Sequence, residues 1–120
     1  MSDNASLGAR GEELATLHLI SKGYTIRDRN GRSGRTEIDI IAENSEFIVF
    51  VEVKARSGDY LVHPADAVNV PKQRRIIAAA SNYLKRYYLE KEARFDIITV
   101  IFKGSNLEID YIENAYYPTM

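Results

Sequence analysis

Glu37-Ile38-Asp39 is followed, thirteen residues after Asp39, by Glu52-Val53-Lys54, and both triplets lie inside apolar runs. Their neighbours in the segments Thr36 to Ala42 and Phe47 to Lys54 are β-branched and aromatic, the composition of strands. Acids and a lysine seldom enter buried strands, because desolvating an unpaired charge costs several kcal/mol. A chain that keeps them there usually gains a metal site or catalytic chemistry. Two carboxylates on neighbouring strands offer hard oxygen ligands suited to magnesium or manganese. With no cysteine and two scattered histidines, a zinc site is not expected.

The chemistry predicted is metal-assisted phosphodiester hydrolysis. Asp39 and Glu52, with the Val53 carbonyl, would hold Mg2+ or Mn2+, which lowers the pKa of a bound water and neutralises charge on the phosphorus centre. Lys54 would orient or deprotonate that water, or stabilise the oxyanion. Glu12 would serve as a further ligand or support one. Each has a plainer alternative. Glu52 and Lys54 also suit an ion-pair set on a wet sheet face. Glu12 also suits the first turn of a helix, where the dipole favours acids. Glu37 suits a solvent-facing strand position.

Positioning these groups requires a hairpin. Glu43-Asn44-Ser45-Glu46 is polar and turn-forming. An even loop centred on Asn44-Ser45 sets Asp39 opposite Phe50 and Glu37 opposite Glu52. Glu37, Asp39, Glu52 and Lys54 then project from one face, with Asp39 and Glu52 as diagonal neighbours. An odd loop would separate the two strands' charges.

The remaining elements follow from periodicity and punctuation. A helix is expected over 6–22, with Ser6 as N-cap, Gly23 as its stop, and Gly8, Glu12, Ala15 and Leu19 on one stripe flanked by Leu14 and Leu17. A short strand over 24–30 precedes a flexible Asn30 to Gly34 loop. Residues 57–70 form an irregular connection with one helical turn near 65–67. Pro71 opens a helix running to about Lys91, with Ile76, Ala79, Ala80, Tyr83, Leu84 and Tyr87 as its apolar face. Lys72 shares that face, so its amine can reach the sheet or snorkel to solvent. Strands over 94–102 and 107–112 complete a second hairpin. The order α-β-β-β-α-β-β predicts one α/β domain over 1–120, a central mixed β-sheet flanked by helices.

At 120 residues, 45% hydrophobic and 28% charged, the chain has a globular composition. The lack of cysteine, of an apolar leader and of a membrane-length apolar run makes the cytoplasm the expected compartment, with no membrane partner. The net charge of −1 gives no global sign of a nucleic-acid binder. Its distribution is uneven. Arg27, Arg29, Arg32 and Arg35 cluster against Asp28, Lys72, Arg74 and Arg75 open the second helix, and Glu108, Asp110 and Glu113 make the end acidic. Arg29, Arg32, Arg35, Arg56, Lys72 and Arg75 are the candidate nucleic-acid contacts; solvated faces are the alternative. An edge strand near 107–112 offers a homodimer contact, and Tyr111, Tyr116 and Tyr117 an alternative docking surface.

Glu12, then Glu37-Ile38-Asp39, then Phe50-Val51-Glu52-Val53-Lys54-Ala55-Arg56 resembles the PD-(D/E)XK nuclease superfamily. Within it the chain is most similar to the uncharacterised bacterial YraN family of endonuclease-like proteins. The likeness extends through Gly8-Ala9-Arg10-Gly11, Pro64 to Val68, Lys72-Gln73-Arg74-Arg75 and Arg94-Phe95-Asp96. It implies a restriction-endonuclease-like core and a DNA substrate, branched or damaged duplexes among the candidates. Asp39, Glu52 and Lys54 match the superfamily's catalytic positions, and Glu12 matches the helix acid of archaeal Holliday-junction resolvases. Ile38 stands where the motif's name puts proline, and Thr36 where YraN-like sequences usually carry glycine. The alternative implied is an inactive nucleic-acid-binding or adaptor module on the same scaffold.

Overall fold

The computed structural model describes residues 3–33, 36–58 and 68–117. Helix α1 (Asp3–Ser21) leads into strands β1 (Thr25–Ser33), β2 (Thr36–Glu43) and β3 (Phe47–Ser57). Helix α2 (Val70–Arg86) then precedes β4 (Glu92–Lys103) and β5 (Asn106–Tyr116). The strands form one sheet in the order β1-β2-β3-β4-β5. All neighbours are antiparallel except β3 and β4, which run parallel and are joined through α2. This is the predicted α/β fold, a mixed sheet between two helices. No helix among the described residues is long and apolar enough to cross a membrane.

The two helices cover opposite faces. Ala15 and Leu19 of α1 pack on Ile40, Ala42, Val49, Val51, Ile98 and Val100. Ile76, Ala79, Ala80 and Tyr83 of α2 pack on Ile41, Ile48, Phe50, Phe95 and Ile97. Ile48 to Val51 are therefore buried on both faces, which explains an apolar run without alternation. On α1 the buried stripe is Gly11, Ala15 and Leu19, whereas Gly8 and Leu17 point to solvent. Gly11 is where α1 sits down on β3: a Cβ there would come within 2.9 Å of the Ala55 Cβ.

Several expected boundaries move. Residues 30–33 are paired strand rather than loop, with Gly31 opposite Ile38 and Ser33 opposite Thr36. Asn30 adopts φ 54° and the register shifts between Ile26 and Asp28, a bulged edge whose polar side chains leave no alternating pattern to read. Helix α2 ends at Arg86, not near Lys91, because Tyr88 turns left-handed (φ 54°) and the Leu89 N–H donates to the Leu84 carbonyl. The expected turn at 65–67 lies outside the described residues.

The first hairpin turns two residues from the expected register, with Ile41 opposite Phe50 and Ala42 opposite Val49. Asn44 decides this. Its Oδ1 accepts from the Glu46 and Phe47 N–H groups, and its own N–H donates to the Phe47 carbonyl, which makes Ser45-Glu46 the turn centre. A slip of two preserves face parity along the paired stretch, Ile40 to Glu43 against Val51 to Ile48.

Candidate functional site

The β2–β3 ladder stops at Ile40 opposite Val51, one rung before Asp39 and Glu52. Beyond it a side chain replaces the backbone: Asp39 Oδ2 accepts from the Val53 N–H at 2.8 Å. This bond holds one carboxylate oxygen against β3 at the point where the strands part. The neighbouring residue on β3, Glu52, has a side chain only 12% exposed. Lys72, in the first turn of α2, places its Nζ 2.5 Å from Glu52 Oε1. Its backbone is pinned by the helix cap, since Asn69 Oδ1 accepts from the Lys72 N–H at 3.0 Å.

Burial pushes the Asp39 carboxyl from the ordinary 3.8 up to about 6. The Val53 N–H opposes that shift, the charges of Glu52 and Glu12 add to it, and the Lys72 ammonium opposes it again. Asp39, Glu52, Glu12 and Lys72 thus form one electrostatic neighbourhood drawn from β2, β3, α1 and α2. Glu12 is half-buried and lies 3.4 Å from Arg29, which also pairs with Glu13 at 2.9 Å. Lys54 lies on β3 opposite Thr99 and is partly buried; Glu37 is exposed. Among the described residues, no three His, Cys, Asp or Glu side chains converge closely enough to enclose a metal ion by themselves.

The predicted nucleic-acid contacts differ in their surroundings. Arg75 is exposed on α2, whose first turn contains no acid. Arg56 is partly buried, with Nη1 donating to the Ala55 carbonyl at 2.9 Å. Arg29 and Lys72 are engaged with acids of the site. Arg35 and the Arg32 side chain lie outside the described residues.

Two polar clusters escaped sequence reasoning. Arg94 and Asp96, both buried, are joined by two hydrogen bonds at 3.0 and 2.8 Å. Asp96 also accepts from the Tyr111 hydroxyl and the Asn114 N–H, and Arg94 donates to the Tyr24 hydroxyl. Tyr111 is half-buried with its hydroxyl committed to Asp96, and buried Tyr116 stacks on Phe95. Of the three tyrosines expected to form a docking surface, Tyr116 is therefore excluded, and Tyr117 is exposed. The second cluster ties α2 to β1. The Tyr83 hydroxyl donates to Asp28 at 2.6 Å and accepts from Arg27, while Arg27 and Lys91 both pair with Glu43. A cleft of about 430 Å³ opens beside this cluster. It lies four residues from Asp39, about 13 Å along β2, so the carboxylate pair is not in it. The signal for both clusters was present only as unexplained Arg and Asp residues bracketing Phe95 and as tyrosines on an apolar helix face.

Similarity to known proteins concerns the whole chain. A UPF0102 protein of Bacteroides thetaiotaomicron is 42% identical over 120 residues, covering 100% of this chain and 99% of the relative. One from Geobacter metallireducens is 44% identical over 114 residues, covering 94% and 93%. The solved structure of Pyrococcus furiosus SfsA in complex with Ca2+ covers 92% of this chain and 63% of that one. At 20% identity and a TM-score of 0.37, it bears on neither site nor substrate. The family model described as "Uncharacterised protein family UPF0102" matches residues 11–100, from the glycine under α1 to the middle of β4. Family model and relatives agree: this chain belongs to UPF0102, the YraN family.

Proposed function

We propose that this protein is a metal-dependent DNA endonuclease. The observation that carries the reading is the Asp39 carboxylate held on the Val53 N–H next to Glu52, with burial pushing the Asp39 carboxyl up to about 6. Two carboxylates suit magnesium or manganese, which keep several waters and complete their shell with substrate oxygens, so the donors present are compatible with such an ion. When bound, the ion would lower the pKa of its water and offset charge building on the phosphate.

The chain's own residues supply the rest. Asp39 and Glu52 would hold the cation, their orientation set by the Val53 N–H and by α2. Lys54, two residues along β3 from Glu52 and on the same face, would stabilise the phosphoryl oxygens as negative charge grows. The water oxygen would form the new bond to phosphorus and lose its proton to solvent, while the bond to the leaving sugar oxygen breaks and solvent returns a proton to that oxygen. Three cations near the start of α2, Lys72, Arg74 and Arg75, with no acid in its first turn, oppose the usual helix-dipole preference. Glu52 answers Lys72 there, and Arg74 and Arg75, both exposed, leave further positive charge at the helix start that suits a phosphate partner.

Incubation with branched, flapped and linear DNA plus Mg2+ or Mn2+ tests the reading. Cleavage lost in Asp39→Ala and Lys54→Ala is expected. No cleavage of any substrate, or undiminished cleavage by both variants, would refute it.

A second reading is an inactive nucleic-acid-binding module on the same scaffold. It is favoured by the Lys72 ammonium already seated on Glu52 and by the lack of a three-ligand cluster among the described residues. Calorimetry separates the two, because the inactive module shows no Mn2+ binding that depends on Asp39 and Glu52. Both readings predict DNA affinity that falls with salt and a shallower salt slope in Arg75→Ala.

A further inference from the structure

The Lys72–Glu52 pair is lopsided. The lysine side chain is 40% exposed and the glutamate 12%, so the ammonium reaches its partner from the solvent side. The contrast with Arg94 and Asp96 is instructive. That pair is buried at both ends, uses a planar guanidinium, and has its carboxylate further held by Tyr111 and Asn114. Such a pair is built to stay. Lys72 instead brings a point charge on four flexible methylenes, anchored only at its backbone by the Asn69 cap. It can leave Glu52 by rotating its side chain without disturbing α2.

Charge matching points the same way. Asp39 and Glu52 together carry two negative charges, and the acid of Glu12 is felt at the same place. Glu12 already has Arg29, and the one ammonium seated on Glu52 is a single charge where a divalent cation would bring two to the pair. We propose that Lys72 is an exchangeable counter-ion: it holds Glu52 in the absence of metal, is displaced by a divalent cation, and then turns its ammonium to the substrate phosphate. The inference rests on the reading of Asp39 and Glu52 as cation ligands and adds a competitor to it. The released charge joins Arg74 and Arg75 at the start of α2, so occupancy by metal and affinity for phosphate rise together.

The test is calorimetric titration of the full chain with Mn2+ alone, at one pH of about 8, on wild type, Lys72→Met, Lys72→Gln and Lys72→Arg. Removing the competing charge should tighten Mn2+ binding roughly fivefold or more in the Met and Gln variants. The Arg variant, which keeps the charge, should bind no tighter than wild type. Binding by Lys72→Met or Lys72→Gln where wild type shows none would be the strongest support. If wild type binds through Asp39 and Glu52 and neither neutral variant binds more tightly, the counter-ion proposal is overturned while the endonuclease reading stands. If neither wild type nor the neutral variants bind, both are overturned. Two neutral variants of different length guard against one failing to fold.

Discussion

Replacing Asp39 by asparagine isolates the cost of holding a charged acid in this site. Asn keeps a carbonyl oxygen to accept from the Val53 N–H, while the negative charge is removed. The wild-type carboxyl titrates near 6 in the folded state and near 3.8 when unfolded. Between those values the folded protein binds more protons than the unfolded chain. Wild-type stability from this group is therefore greatest below pH 3.8, falls as pH rises through that window, and is flat above about 7. A shift of this size corresponds to about 3 kcal/mol at most, and about 2 kcal/mol once solvent screening of the partly exposed site is allowed for. Asp39→Asn does not titrate there. Its stability relative to wild type should rise by about 2–3 kcal/mol between pH 4 and pH 8, or roughly 8–12 °C in Tm for a chain of this size. Urea and thermal unfolding in chelator at both pH values measure this, the comparison cancelling carboxylates common to both proteins. Added Mn2+ at pH 8 should narrow the gap by stabilising only the wild type. A gap that does not change with pH, or a variant less stable than wild type at pH 8, would refute the account of a strained acid pair.

Three further outcomes follow from the packing. Gly11→Ala gains about 1 kcal/mol of helix propensity yet drives a Cβ into Ala55; a net loss of about 1–2 kcal/mol is expected in urea unfolding, and a stabilised variant would show that α1 is not seated by this contact. Asp96→Ala leaves the Arg94 guanidinium buried without its carboxylate and should cost about 3–5 kcal/mol, with Arg94→Met plus Asp96→Ala costing less than the sum of the two; additive losses would mean the residues act independently. Asn69→Ala removes the cap that pins Lys72 and should lower stability by about 1 kcal/mol, with faster amide exchange confined to the start of α2; uniform exchange changes would contradict that local role.

The resemblance placed Asp39, Glu52, Lys54 and Glu12 together before any coordinates, and strand alternation placed three of them on one face. Alternation is a local property of extended backbone, so it is written in consecutive residues. A hairpin register two residues off does not disturb that reasoning within the paired stretch, since a shift of two leaves every side chain there on its own face. The helices, the crossover and the second hairpin were legible for the same reason, since glycines, Pro71 and apolar spacing act within a few residues of where they are read; the start of α1 was not, because the helix begins at Asp3 and takes in Ser6, the expected cap. What only the tertiary structure decided is who meets whom across long separations. Lys72 finds Glu52 across twenty residues, Gly11 meets Ala55, and Arg94 and Asp96 recruit Tyr24 and Tyr111 from opposite ends of the chain. Those pairings depend on how α1 and α2 settle on the two faces of the sheet, a packing outcome summed over the whole core that no short stretch of sequence encodes.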